Sequence, residues 1–190
     1  ADANADFLRR GFEQVIGDAV ANGDITIVGE TYTDNWDPAL AQTHMEQFLT
    51  QANNEVDAVL SENDGMASGV VAALEAQGLA GQVPVSGQDA DLAALNRVAL
   101  GTQSVSVWKD ARELGRAAGE AAVAMAQGTP LAEVPGTIQF DSPGGNSMTS
   151  ILLDPIPITR DNLHLVVEAE WISTDQLCQG VEAGTVEVCG

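Results

Sequence analysis

The stretch Val83-Pro-Val-Ser-Gly-Gln-Asp-Ala-Asp91 decides the fold class. Its apolar first half is typical of a short buried strand, and Gly87 then opens a loop that delivers two polar side chains, Gln88 and Asp89. In open α/β sheets, ligands bind beyond the carboxyl ends of the strands. This stretch therefore predicts one part of a binding cleft for a small polar molecule.

Two further strands end in the same way. The apolar run at 57–61 leads into Asn63 and Asp64, and the run at 102–107 leads to Lys109, the sole lysine of the chain. A lysine is usually a solvated surface charge, but its position directly after a strand favours a place in the cleft.

Asn63 and Asp89 suit the vicinal hydroxyls of a sugar, because an amide both donates and accepts while a carboxylate accepts from two hydroxyls. A structural role is the alternative for each: Asn63 would cap the following helix, and Asp89 would end its strand. Of the adjacent pair Asn63 and Asp64, we expect Asp64 to be the helix cap.

Trp36 lies in a polar loop between a predicted strand and a predicted helix, flanked by Asp34, Asn35 and Asp37. A tryptophan in a cleft loop can stack on the C–H face of a sugar. Packing within the loop explains the same residue equally well.

Strands and helices alternate along most of the chain. Apolar periodicity predicts helices at 7–20, 38–52, 64–77, 91–99 and 110–127, with strands at 25–28, 58–61, 83–86 and 102–107. This alternation predicts an α/β fold, a Rossmann-like parallel sheet with helices on both faces. After Pro130 the pattern changes to strands at 137–140 and 150–153, and then to an acidic tail for which no fold is predicted at 181–190.

The composition excludes several functions. Of 190 residues, 28 are acidic and 7 are lysine or arginine, so the net charge of −21 repels nucleic acid and anionic membranes. The sequence contains no nucleophile elbow, phosphate-binding glycine loop, zinc spacing or paired catalytic carboxylates. We therefore predict a binding protein that is not an enzyme and uses neither cofactor nor metal.

The two cysteines, Cys178 and Cys189, lie near the end of the chain without histidine partners or CxxC spacing. We predict a disulfide that closes a short loop. The compartment stays open on this ground alone, since an exported protein would oxidise the pair and a cytosolic one would keep free thiols.

With these residues in place, the chain resembles the periplasmic sugar-binding proteins of ABC importers, which have the type I periplasmic binding protein fold, and within them most closely the D-xylose-binding branch. The resemblance covers roughly residues 1–163 and is carried by the segments 28–36, 61–64, 76–81, 86–92 and 101–109. The run Gly87-Gln-Asp-Ala-Asp91 is the most specific of these, since ribose- and galactose-type relatives usually have an aromatic residue where Gln88 stands.

The resemblance implies a role for each cleft residue. Trp36 would stack on the pyranose ring, Asn63 and Asp89 would hydrogen-bond hydroxyls, and Lys109 would reach the sugar from the hinge side. Asn4, Asp2 and Gln88 complete the expected contacts. The ligand would be a monosaccharide, D-xylose before other aldoses, and the partner an ABC permease in the membrane.

The resemblance also implies a division of the chain between two lobes. Residues 1–107 would form the second lobe, 108–147 would belong to the first lobe, 148–163 would return, and 164–190 would be an acidic tail with the disulfide. We expect the rest of the first lobe as a separate or cleaved chain, because Ala1 to Asp6 resembles the loop after an absent strand. The location would be periplasmic or otherwise extracytoplasmic, free or lipid-anchored.

A second class of function stays open. The same fold serves as the sugar-sensing domain of chemoreceptors and transcription regulators. A disulfide between Cys178 and Cys189 would count against a cytoplasmic regulator.

Overall fold

The computed structural model describes residues 2–142 and 144–190. Its helices are α1 (Ala3–Asn22), α2 (Pro38–Gln51), α3 (Asp64–Ala76), α4 (Leu92–Leu100), α5 (Ala111–Ala126), α6 (His164–Glu168) and α7 (Thr174–Leu177). Its strands are β1 (Ser106–Trp108), β2 (Thr137–Asp141), β3 (Ser147–Ile151) and β4 (Ile156–Ile158). The predicted opening loop at 1–6 is wrong for residues 3–6, which form the first turn of α1 because the Asp2 carboxylate caps the helix there. Ala1 lies outside the described residues.

Parallel pairing between successive segments builds the sheet. Val59 pairs in parallel with Val85, and Gln88 pairs in parallel with Val107. The Val59 N–H donates to the Pro84 carbonyl at 2.9 Å, and the Val107 N–H donates to the Gly87 carbonyl at 2.9 Å. β4 then pairs antiparallel with β1. The α/β class is thus confirmed, with one antiparallel strand added beside the parallel part.

The predicted buried strand at 25–28 is wrong. Ile25, Ile27 and Val28 are exposed, between 38% and 48%, and the segment forms no strand among the described residues. Apolar side chains alone do not make a strand, because a strand needs a neighbour whose backbone groups complete its hydrogen bonds.

One hydrophobic cluster packs α2 and α3 against the strand segment at 83–85. Its buried side chains include Met45, Leu49, Val70 and Leu74. The two helices approach closely at Gly69, where a Cβ atom would run into the Pro38 carbonyl oxygen. Asp37 starts α2 by accepting from the backbone N–H groups of two following residues, and proline stands in the first turn. The contact at Gly69 places the start of α2 against the middle of α3.

A second cluster joins α4, β1 and β4 to the C-terminal residues. The tail buries Val166, Ile172, Leu177 and Val186 in it, together with Leu163 directly before the tail. The acidic tail is therefore part of the core, which its charged composition did not reveal.

A disulfide joins Cys178 to Cys189, as the sequence predicts. Next to it, the Asn96 side chain donates to the carbonyls of Leu177 and Gln179 at 2.8 and 2.9 Å. These contacts attach the tail to α4.

α5 and the antiparallel β2–β3 hairpin lie apart from both clusters. Every residue of α5 is at least partly exposed, and Leu114, Val123 and Met125 are exposed by about half of their surface. Within the described residues, none of the helices is both long enough and apolar enough to cross a bilayer.

Candidate functional site

The side chains predicted to form the cleft line one cavity of about 200 Å³. They come from the start of α1, the loop before α2, the start of α3, the turn after the strand segment at 83–87, and the end of β1. The lining residues are Asp2, Asn4, Trp36, Asn63, Gln88, Asp89 and Lys109. The structure thus brings all seven predicted residues together, although they span more than a hundred positions of the sequence.

At the start of α1, one carboxylate oxygen of Asp2 accepts the backbone N–H of Asn4 at 2.9 Å. Asp2 is therefore the N-cap of α1. The cap fixes the first turn of the helix, so the side chains of both residues are held beside the cavity.

A short helical turn, Asp34–Trp36, places the tryptophan. Asn35 and Trp36 both have left-handed backbone conformations, with φ of 55° and 57°. Asp37 follows in extended conformation and caps α2 through Ala39 N–H at 2.7 Å. The side chain of Trp36 is half-buried at the cavity wall, which leaves an aromatic surface open for a ligand.

Asn63, and not Asp64 as predicted, caps α3. The Asn63 side-chain oxygen accepts the backbone N–H of Met66 at 2.8 Å. The structural alternative for Asn63 therefore holds, but its side-chain amide also lines the cavity and retains its N–H donors. One side chain thus starts the helix and faces the cavity.

Asp89 and Lys109 form an ion pair at the cavity wall. The distance between Lys109 Nζ and Asp89 Oδ1 is 3.0 Å, and each side chain is about 40% exposed. Asp89 lies in the turn Gly87–Asp91 with φ of 105°, and the next residue, Ala90, has φ of 53°. The pair offers a carboxylate acceptor and an ammonium donor side by side.

Asp64 lies directly beneath this turn and is 1% exposed. Its carboxylate accepts from Ser106 Oγ at 2.5 Å, Gln103 Nε2 at 2.8 Å and the Asp91 N–H at 3.0 Å. Burial raises the pKa of Asp64, and the three hydrogen bonds partly oppose this shift. Arg97 completes the layer by donating to Gln103 Oε1 and to the Asp64 carbonyl, both at 3.0 Å.

The sequence analysis missed this buried layer. Gln103 and Ser106 lie in the predicted strand at 102–107, where a polar residue that is buried needs a partner. That pattern is the signal that could have found them, although it does not identify Asp64 as the partner.

The C-terminal tail reaches the same turn from the other cluster. The Trp171 indole N–H donates to the Ala90 carbonyl at 2.8 Å, and its ring packs against Trp108 with centroids 5.8 Å apart. The Arg112 guanidinium lies 5.3 Å from the Trp171 ring centroid. No part in the site was predicted for the tail, because hydrogen-bond partners that are 81 positions apart produce no local pattern in the sequence.

Glu62 is an acidic residue that directly precedes Asn63, one of the residues that line the cavity. Burial, and then the Asp6 carboxylate, raise the pKa of Glu62 to about 7. Arg9 pairs with Glu30 at 2.5 Å, and the Tyr32 hydroxyl donates to Asp6 at 3.2 Å. Across residues 2–142 and 144–190, no group of three or more His, Cys, Asp or Glu side chains is placed to hold a metal ion.

The chemistry of the cavity suits a small polyhydroxylated molecule. Carboxylates accept hydroxyl protons, the ammonium donates, and the two kinds of side-chain amide do both. An aromatic surface among such groups favours a ligand with one apolar face, which is how a pyranose ring presents its C–H bonds.

Comparison with known proteins gives a consistent set of relatives. A family model described as a periplasmic binding protein domain matches residues 1–130. The chain is 40% identical over 162 residues to the D-xylose-binding periplasmic protein of Escherichia coli (strain K12), over 85% of this chain and 48% of that protein. It is 36% identical over 175 residues to the D-xylose-binding periplasmic protein of Haemophilus influenzae, over 92% and 52% respectively.

Among solved structures, the chain aligns with an ABC transporter solute-binding protein from Clostridium phytofermentans that holds β-D-glucose. The TM-score is 0.73 and the identity 25%, over 87% of this chain and 53% of that chain. The chain spans about half the length of each of these three proteins.

Proposed function

The chain belongs to the family of periplasmic binding protein domains, and from this premise we propose that it is the solute receptor of an ABC-type sugar importer. It binds one monosaccharide, D-xylose, in a cleft between two lobes and delivers it to the permease subunits in the membrane. It acts by binding and not by catalysis. The convergence of seven side chains on one cavity is the observation that carries this proposal.

Each cavity residue has a role in the proposed complex. Trp36 stacks on the pyranose ring, and Asn63 and Asp89 hydrogen-bond its hydroxyls. Lys109 holds the Asp89 carboxylate at 3.0 Å and donates to the sugar. The neighbouring Asp2, Asn4 and Gln88 supply the remaining polar contacts.

Xylose is proposed as the ligand because two relatives are named D-xylose-binding periplasmic proteins. Sugars with a further hydroxymethyl group, such as glucose, are the principal competitors, since a solved relative holds β-D-glucose. The size and the lining residues of the complete cleft determine whether D-xylose or a larger sugar such as glucose binds more tightly.

The proposed cleft needs two lobes. Residues 1–107 form the second lobe, 108–147 belong to the first, 148–163 return, and 164–190 form the tail. The exposed apolar side chains Leu114, Val123 and Met125 of α5 support this division, because such a face is stabilised by packing on another part of the protein. The first lobe is either part of the same longer polypeptide or a separate or cleaved chain, and intact mass with size-exclusion chromatography distinguishes these cases.

The proposed location is extracytoplasmic. The relatives are named periplasmic proteins, and the disulfide between Cys178 and Cys189 is stable in an oxidising compartment. The disulfide also counts against the alternative of a cytoplasmic sugar-sensing regulator. Detergent partition of the native protein tests whether a lipid anchor is attached.

A calorimetric titration of the two-lobed protein tests the function. D-xylose, D-glucose, D-ribose and L-arabinose are titrated in turn, and we expect the tightest saturable binding with D-xylose. Asp89→Ala removes hydrogen bonds from a charged acceptor, so we expect affinity to fall about 10- to 100-fold. Asp175→Ala, an exposed acid in the tail, is the matched control and leaves the affinity unchanged.

Two results would contradict the proposal. If none of the four sugars binds to the two-lobed protein, the receptor function is wrong. If sugar binds but Asp89→Ala and Asp175→Ala have equal affinity, the sugar occupies a different site.

A further inference from the structure

The turn Gly87–Asp91 has a backbone that its own sequence does not favour. Asp89 and Ala90 are consecutive residues with side chains, and both have positive φ, at 105° and 53°. Such conformations persist only where the surroundings hold them. The same turn presents Gln88 and Asp89 to the cavity, so whatever holds it also sets the positions of two cavity side chains.

Asp64 holds this turn at three residues, directly at Gln88 and Asp91 and through Ser106 at Ala90. Its backbone N–H donates to the Gln88 carbonyl at 2.9 Å. Its carboxylate accepts the Asp91 N–H at 3.0 Å. Through Ser106, whose hydroxyl donates to the carboxylate at 2.5 Å, it also holds the Ala90 N–H, which donates to Ser106 Oγ at 2.9 Å.

The fit between Asp64 and the turn leaves no free space. Asp64 Oδ1 and Gln103 Nε2 occupy the volume in which a Cβ atom at Gly87 would lie. The turn can therefore approach the carboxylate only because residue 87 is glycine. A contact this close transmits any displacement of the carboxylate to the turn.

Burying a carboxylate costs free energy, so we expect one in the interior only where its hydrogen bonds have a structural role. The donors that reach it are the Ser106 hydroxyl, the Gln103 amide and the Asp91 N–H, all of them neutral. Burial of a charge is costly even though the Arg97 guanidinium lies in the same layer, because none of the donors to the carboxylate is charged. In return, the carboxylate orders the turn and the start of β1, because only a group with several acceptor sites can accept all three hydrogen bonds.

From this geometry we propose that Asp64 is a positioning residue of the sugar site. It holds the turn Gly87–Asp91 in the conformation that presents Asp89 and Gln88 to the ligand, and it does so without touching the ligand. Asp64 directly follows Asn63, which also lines the cavity. It therefore links Asn63, as a third cavity side chain, to the same layer of buried polar residues. The inference rests on the proposed sugar-binding function and adds a residue that determines affinity from beneath the site.

Hydrogen exchange in the absence of sugar tests the positioning role by itself. Asp64→Asn keeps the size of the side chain but leaves fewer acceptor sites for the three donors. In the two-lobed protein we expect the amides of Ala90 and Asp91 to exchange at least about tenfold faster in this variant, while amides of α5 keep their rates. Unchanged protection at Ala90 and Asp91 would overturn the inference, whether or not a sugar binds.

Affinity measurements then test whether the positioning matters for the ligand. We expect Asp64→Asn to weaken D-xylose binding about 10- to 100-fold. In a background that carries both Gln88→Ala and Asp89→Ala, the same substitution changes affinity by no more than about twofold, since its effect passes through these two side chains. An equal loss in both backgrounds would show that Asp64 acts otherwise, and the inference would be wrong.

Two further variants separate positioning from general stability. Leu74→Ala removes a fully buried side chain of α3 from the hydrophobic cluster of α2, α3 and the strand segment at 83–85. We expect it to lower the stability of the fold and to leave the sugar affinity unchanged. Ser106→Ala retains the carboxylate and removes its link to Ala90. It replaces Asp64→Asn if that variant does not fold, with faster exchange at Ala90 and weaker binding expected. If wild type binds no sugar, the proposed function fails while the exchange data still decide the positioning role.

Discussion

The disulfide between Cys178 and Cys189 allows a quantitative prediction about the tail. The bond closes a loop with a sequence separation of 11. Both ends of this loop are anchored, because Leu177 and Val186 are buried in the second cluster. Replacement of both cysteines by serine removes the cross-link and leaves the apolar anchors in place.

The expected loss follows from the length of the loop. The chain-entropy relation for a cross-link at a separation of 11 gives about 2.8 kcal/mol of stability near room temperature. Urea m-values are about 1–3 kcal/mol/M for small proteins and increase with size, so the unfolding midpoint of the two-lobed protein falls by about 1 M or less. Unfolding of the two-lobed protein is followed by near-UV circular dichroism, which reports the packing of Trp171 against Trp108.

Reduction of the wild-type protein is the control for the serine substitutions. Reductant should lower the wild-type midpoint to that of the double variant, and it should leave the double variant unchanged. A loss below about 1 kcal/mol at unchanged m-value would refute the reasoning. It would mean that the loop is already restricted in the unfolded chain, and that packing alone holds the tail.

Three further predictions concern a titrating group and two glycines. Burial raises the pKa of Glu62 to about 7, so its contribution to stability is fully present below the usual glutamate pKa and is lost as the pH rises through about 7. In urea unfolding, Glu62→Gln should therefore lose less stability than wild type across this pH range; identical pH profiles would contradict the assignment. Gly87→Ala places a methyl group against the Asp64 carboxylate, and we expect it to destabilise by about 1–3 kcal/mol and to weaken sugar binding. In the 190-residue chain alone, Gly115→Ala in α5, where a Cβ meets nothing within 4 Å, should instead gain up to about 1 kcal/mol, and a loss there would refute the helix assignment.

The cavity residues could be predicted because their positions follow from a general property of parallel sheets. Asn63, Asp89 and Lys109 each come just after a strand segment, and the carboxyl ends of parallel strands lie at one edge. The bounds of α2 to α5 were predictable for a similar reason, since local signals such as Asp37 with Pro38 mark the start of α2. The roles of these residues toward a sugar stay predictions.

The features that the sequence did not predict depend on partners far away in the chain. Asp64 was expected to cap its helix, but its carboxylate turns inward to donors 39 and 42 positions later, on Gln103 and Ser106. Adjacent polar residues give no sign of which one faces the interior. The segment at 25–28 has the composition of a strand, but pairing depends on a neighbour that composition does not supply. In the tail, the acidic composition gave no indication that apolar side chains such as Leu177 are buried.

The attachment of the tail has a consequence for the order of folding. Trp171 reaches the Ala90 carbonyl across 81 positions, and Asn96 reaches Leu177 across the same number. Contacts between such distant residues form slowly, because a long loop must close before any of them is gained. During synthesis, the sheet can pair before the tail has been made, whereas the turn beside the cavity receives its contact with Trp171 only after the tail has been made. We therefore expect the ability to bind ligand to appear as the last step of folding.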